Sequence, residues 1–158
     1  MVNQVNMDRT EKVTLTNMCM IYDEDGNVLI QHRTDPGWRG IVFPGGHIEI
    51  KESIIESVVR EIKEETGLDI SLLEQCGIKQ FFTEKDGRYI VFLYKTKNFS
   101  GEVIDSGEGK IEWVKFDDLK DMSLASGFDD MLPLFSNESS ELIYRNGGKE
   151  WKQWWKNQ

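Results

Sequence analysis

GGHIEIKESIIESVVREIKEETGL, residues 45–68, is the stretch that decides the fold. Pro44 precedes it, a double glycine opens it, a run with helical spacing follows, and a further glycine, Gly67, closes it. At about 100° of rotation per residue, Glu61, Glu64 and Glu65 share an arc of roughly 100°. Beside that arc lie Ile55, Val58, Val59 and Ile62, an apolar stripe able to dock the helix on a core. Arg60, Lys63 and Glu56 fall on the opposite side and are expected to face water. Ser53 reads as the N-cap and Gly67 as the C-cap.

Gathering the acids costs stability. On an open surface a like-charged pair one turn apart costs about 0.2 to 0.5 kcal/mol. Beside a core, at an effective dielectric near 20 and a spacing of ~6 Å, the cost approaches ~3 kcal/mol. A bound cation removes the penalty, and carboxylates with the backbone carbonyls of Gly45 and Gly46 suit magnesium or manganese better than zinc.

Read from Gly46, the spacing is Gly, five residues, Glu52, seven residues, Arg60-Glu61-Ile62, one residue, Glu64-Glu65, one residue, Gly67-Leu68. It resembles the Nudix box at every fixed position. The resemblance places the chain with the Nudix hydrolases, which cleave nucleoside diphosphates linked to a further group with the help of a divalent metal. It implies Mg2+ (Mn2+ possible) held by Glu61, Glu64 and Glu65 and by the carbonyl of Gly46. Glu52 and Arg60 would orient the cluster, Arg60 as the partner that fixes a carboxylate. The expected fold is α/β, a Nudix-type α/β/α sandwich on a mixed, partly antiparallel sheet, with the box helix on one face and a C-terminal helix on the other.

Length and composition agree with one soluble domain over 1–158, its residues 1–10 flexible. With 28 acidic against 19 basic residues, the formal charge of -9 opposes binding to a nucleic acid polymer. A small nucleotide that arrives with its own metal and meets a few local arginines is not excluded. No apolar run approaches a membrane span and no secretory leader is legible, so a cytoplasmic monomer or homodimer is expected. Cys19 and Cys76 lack a CxxC spacing and read as buried thiols.

Outward from the box, residues 13–22, 28–33 and 41–43 read as strands, as do 69–83 and 87–96, the last central in the sheet. Arg33 ends the second strand, placed for a phosphate. Trp38 lies in the following loop, able to stack on a base or cover the core edge. Residues 111–114 form a further strand after a loop in which Glu108 stands between two glycines. In MutT-like Nudix enzymes an acid in that loop supplies a metal ligand or the base. By that likeness Glu108 is the candidate and Glu112 the second, so the general base is either Glu61 or Glu108. Residues 128–135 read as a helix interrupted by Pro133, and its Asp129 and Asp130 resemble the acids that read a purine edge in such relatives. Trp151, Trp154 and Trp155, at i, i+3 and i+4, suggest one face of a terminal helix.

The strand end QHR, the approach WRGIVFPGGHIE and the segments EGKIEW and DDMLPL look most like the MutT type (the 8-oxo-dGTP diphosphatase type). That likeness implies hydrolysis of an oxidised purine nucleoside triphosphate to monophosphate and pyrophosphate, with Phe43, Gly45 and His47 joining the substrate side. His47 stands where many such relatives carry lysine, which points to different phosphate contacts. The rival readings are an ADP-ribose, nucleotide-sugar or dinucleoside polyphosphate pyrophosphatase and, in another class, a binding module without turnover. The intact box argues against the last.

Overall fold

The structure is a computed structural model that describes residues 8–85, 87–145 and 152–156. Its central sheet has six strands in the order β11-β10-β6-β7-β1-β4. These are β1 (Lys12–Ile21), β4 (Gly45–His47), β6 (Glu74–Phe82), β7 (Gly87–Thr96), β10 (Glu141–Tyr144) and β11 (Lys152–Trp155). β1 with β7 and β10 with β6 run parallel and the other neighbours antiparallel, so the sheet is mixed. A second, antiparallel sheet joins β3 (Gly40–Val42), β2 (Asn27–Arg33) and β9 (Ile111–Lys115).

The second half of β1, Met18 to Ile21, is apolar without alternation because it is buried on both faces. Met18 and Met20 enter one core with Ile30, Phe43 and Phe128, while Cys19 and Ile21 enter the other with Val58, Ile62 and Leu68. A strand buried on both faces needs apolar residues at both phases of its period of two. The second of these cores lies under α1 (Ile54–Thr66). The first is covered by short helical turns, Phe116–Asp121, Asp129–Met131 and α2 (Leu132–Phe135), with Phe128 and Phe135 edge-on to Phe43 at 4.9 Å between centroids. The α/β/α layering therefore holds, its second helical layer built of single turns.

α1 starts and stops where its chemistry directs. Ser53 Oγ accepts from Glu56 N and the Glu56 carboxylate accepts from Ser53 N, a complete capping box. Gly67 closes the helix in the left-handed region at φ 81°. The docking stripe is displaced from its expected place. Ser57, Val58, Ile62, Glu65 and Thr66 are buried, whereas Ile55 and Val59 are 46% and 37% exposed. The helix is rolled toward β4, which brings its acids inward.

Three further expectations give way. Residues 69–83 are two strands, β5 (Asp69–Ser71) and β6, because Leu72 takes φ 51° between them and β5 pairs instead with β8 (Asn98–Ser100). Residues 128–135 form two short turns rather than one helix, and Pro133 occupies the first turn of α2, where its missing N–H costs nothing. Trp154 and Trp155 depart from the expected helix and lie on β11, paired to Leu142 and Glu141. Trp154 packs on the first core and Trp155 is 52% exposed, as adjacent strand positions must face opposite ways. Trp151 lies outside the described residues. Among the described residues no helix is long and apolar enough to cross a membrane.

Ser53→Ala removes the cap acceptor and should cost about 1 kcal/mol of unfolding free energy in urea titrations; an unchanged midpoint would show that α1 is held by packing alone.

Candidate functional site

Two close approaches explain the double glycine. A Cβ on Gly45 would strike the carbonyl of Asn17 on β1, and a Cβ on Gly46 would occupy the place of the Glu61 carboxylate. β4 can thus lie flush against β1 and leave room for a side chain from α1. Asn17 Nδ2 donates to Ser57 Oγ at 2.8 Å, tying β1 to the same helix.

Arg60 holds the acids. Its Nε and Nη2 donate to the two oxygens of Glu52 at 2.6 and 3.0 Å, its Nη1 to Glu61 Oε1 at 3.0 Å and Glu64 Oε2 at 3.1 Å, and Nη2 also to the carbonyl of His47 at 3.0 Å. The water-facing Arg60 read from helical angles is therefore corrected. Its long side chain folds back along the helix and engages Glu52, Glu61 and Glu64 together. The Arg60 guanidinium holds the Glu52 carboxyl down at about 2, helped by Glu49 N–H. Glu52 in turn raises the proton affinity of Arg60.

A cavity of about 700 Å³ opens beside this cluster. Glu61, Glu65 and Glu108 line it, with Gly45, Gly46 and His47 at the same end. Glu65 is 6% exposed, and Gly45 N donates to its Oε2 at 3.1 Å. Burial pushes the Glu65 carboxyl up to about 8, with Glu61 and Glu108 adding to the rise. Burial also raises Glu61, against the pull of Arg60. Glu64 is exposed and meets Arg60 without lining the cavity, since the cavity lies on the Glu65 side of the helix.

Among the described residues no three histidine, cysteine or acidic side chains already surround a common centre. The donor set still fits a hard divalent cation. Buried carboxylate oxygens whose ionisation is disfavoured gain most from a positive charge, and Gly46 keeps the space before Glu61 clear.

Of the substrate-side candidates, Arg33, Trp38, Phe43, Gly45 and His47 all line the cavity. Arg33 lies 5.3 Å from the Trp38 ring centroid, and its Nε is buried without a hydrogen-bond partner among the described residues. The Trp38 indole N–H donates to Ser126 O at 2.9 Å, which sets the ring as a wall. Asp129 and Asp130 are corrected: Asp129 is exposed, Asp130 is turned into the interior, and neither lines the cavity. Both oxygens of Asp130 are engaged, Oδ2 by Tyr144 Oη at 2.6 Å and Oδ1 by Lys152 Nζ at 2.8 Å. Glu112 is bound to His32 at 2.7 Å and Lys110 at 3.0 Å and does not line the cavity either. Lys79, Phe81, Tyr89 and Tyr144 line it as well, beyond the residues that the sequence points to. The signal available was the alternation of Lys79 with Phe81 on one strand face.

The NUDIX domain family is matched over residues 13–135. The uncharacterized Nudix hydrolase YvcI of Bacillus subtilis (strain 168) is 35% identical over 115 residues, 69% of this chain and 70% of that protein. A putative 8-oxo-dGTP diphosphatase of the same organism is 34% identical over 74 residues, covering 46% of this chain and 48% of that protein. The crystal structure of a MutT mutator protein from Bacillus halodurans superposes with a TM-score of 0.69 at 29% identity, covering 89% of this chain and 94% of that one.

A carboxyl whose folded pKa is raised binds more protons folded than unfolded between the two values. The stability Glu65 contributes is therefore fully present below its ordinary 4.5 and lost as pH rises through about 8. With EDTA present, unfolding free energy should fall from pH 5 to pH 8, and Glu65→Gln should flatten that slope; equal slopes in both proteins would show that Glu65 ionises freely.

Proposed function

The chain belongs to the NUDIX family of phosphoanhydride hydrolases, as a MutT-like member, and from that premise we propose that it hydrolyses a purine nucleoside triphosphate. Oxidised forms such as 8-oxo-dGTP are within this reading, and the products are the monophosphate and pyrophosphate. The observation that carries it is one cavity of about 700 Å³ with carboxylates at one end and aromatic walls beyond. That volume falls within the range of about 300 to 1,000 Å³ of small-molecule sites. A metal-dependent pyrophosphohydrolase needs the first end, and a flat base needs the second. The likeness to a putative 8-oxo-dGTP diphosphatase supports the same substrate.

A divalent ion, magnesium or manganese by donor type, would be held by Glu61, Glu65 and Glu108 with the Gly46 carbonyl and Glu64 adjoining, and supplies charge neutralisation at the phosphates. The chain's own groups do the rest. Arg60 and Glu52 fix the Glu61 carboxylate in place. Arg33 and His47 flank the cavity as hydrogen-bond donors to phosphate oxygens. One water oxygen bonds to a phosphorus of the anhydride as the bridging P–O bond breaks, and the water's proton passes to Glu61 or Glu108. Trp38 and Phe43 wall the cavity and exclude bulk water.

The rival in the same family is an ADP-ribose pyrophosphatase. Steady-state kinetics over oxidised and ordinary dNTPs, ADP-ribose and dinucleoside polyphosphates, with products identified, separate them. A triphosphate should lead in kcat/KM; ADP-ribose leading by a hundredfold would overturn the triphosphate assignment. Activity should vanish with EDTA and return with magnesium. Glu65→Gln should lower kcat about 100- to 1,000-fold, as for loss of one electrostatic stabiliser; Glu61→Gln and Glu108→Gln should differ in the acid limb of kcat against pH, the true base removing it.

A further inference from the structure

Glu61 and Glu65 reach the cavity from α1, whereas Glu108 reaches it from the loop 105–110 that leads into β9 of the other sheet. The Glu108 carboxyl meets that of Glu65 and stands close enough to Glu61 to raise both acids. Its own backbone holds it loosely. Gly107 and Gly109 flank it at φ 84° and 133°, and Glu108 N comes no closer to Ser106 Oγ than 3.5 Å. Glycines that let a chain turn also let it move.

The loop is tied down at its far end instead. His32 N donates to the Lys110 carbonyl at 2.8 Å, and Gly109 lies so close to the His32 carbonyl that a Cβ would strike it. Side chains repeat the tie. Glu112 Oε1 meets His32 Nε2 at 2.7 Å, and Glu112 Oε2 accepts from Lys110 Nζ at 3.0 Å. One carboxylate thus joins β2, β9 and the last residue of the loop, two positions from Glu108. His32 and Lys110 hold that carboxyl below its usual range. Apart from the Glu108 carboxyl itself, the hydrogen bonds that leave residues 105–110 run to β2 and β9 among the described residues.

Glu112 does not line the cavity, so any part it takes is through another group. Resting on the reading of Glu108 as metal ligand or base, we propose that Glu112 is the positioning residue for Glu108, clamping its loop to β2 through His32 and Lys110. A misplacement of about 1 Å at an acting group can cost about 100-fold in rate. The clamp acts by shape. Glutamine at 112 keeps both contacts, its carbonyl accepting from Lys110 and its amide donating to the other tautomer of His32. A Glu112 that itself took the proton or bound the metal would lose that role as glutamine.

Wild type, Glu112→Ala, Glu112→Gln, Glu108→Gln and the double variant Glu108→Gln with Glu112→Ala are compared at about pH 8, above the ordinary histidine range. The readouts are turnover of the best substrate of the panel above, Mn2+ binding by electron paramagnetic resonance, and amide hydrogen exchange of residues 105–110 in the metal-free protein. Glu112→Ala should lower kcat or Mn2+ affinity about 10- to 100-fold, with KM nearly unchanged. It should also speed exchange of the loop amides about tenfold, as for loss of one hydrogen bond to a charged group. Glu112→Gln should stay near wild type, and beside Glu108→Gln the alanine variant should cost almost nothing more. His32→Ala removes the same tie from β2 and should reproduce Glu112→Ala, so the test stands if that variant does not fold. Glutamine as damaging as alanine at 112, or an alanine loss undiminished beside Glu108→Gln, would overturn the proposal. Wild-type turnover in Glu108→Gln would instead sink the reading of Glu108 on which it rests, and unchanged loop exchange in Glu112→Ala would sink the clamp itself.

Discussion

A single guanidinium among carboxylates is the contact on which the site depends. Arg60 bridges Glu52 in the loop, Glu61 and Glu64 on the helix and the carbonyl of His47 on β4. Without that charge the three acids would push one another apart and Glu52 would lose its tie to the helix. With it, β4 and α1 are locked at a distance that Gly45 and Gly46 alone permit, since any side chain there would meet Asn17 or Glu61. The cost appears one turn away. Among the described residues Glu65 gains no ion pair, and it is buried with its proton affinity raised.

That strain is useful because of where the fold places it. β1 is committed to both cores, so its cavity-facing residues, Thr16 and Met18, form a rigid floor rather than a loop. The helical turns after β9 roof the first core and bring Phe128 and Phe135 against Phe43, which stands in the cavity wall. The acids therefore face a space bounded by elements that cannot relax away from them. A carboxylate buried against such walls is tuned by its surroundings, and clefts with such groups are where chemistry concentrates.

Local signals were legible wherever a few neighbouring residues decide the outcome. Ser53 and Gly67 mark the ends of α1 because caps act within one turn, and residues 87–96 match β7. Signals that needed a partner misled. The tryptophan spacing near the end fits a helix face, but main-chain bonding to β10 takes the segment instead. Asp130, which resembles a base reader, is drawn inward because Tyr144 and Lys152 offer two strong donors. Neither donor is near it in sequence.

From the sequence alone came the family and the grouping of the acids with Arg60, because spacing along one helix itself brings side chains a turn apart together. Only the tertiary structure decided which acids face the cavity, that Arg60 folds back on them, and that Lys79 and Tyr144 line the same cavity. Those outcomes depend on the roll of α1 and on the register of four strands. Register is set by pairing between segments remote in the chain, which no local periodicity records.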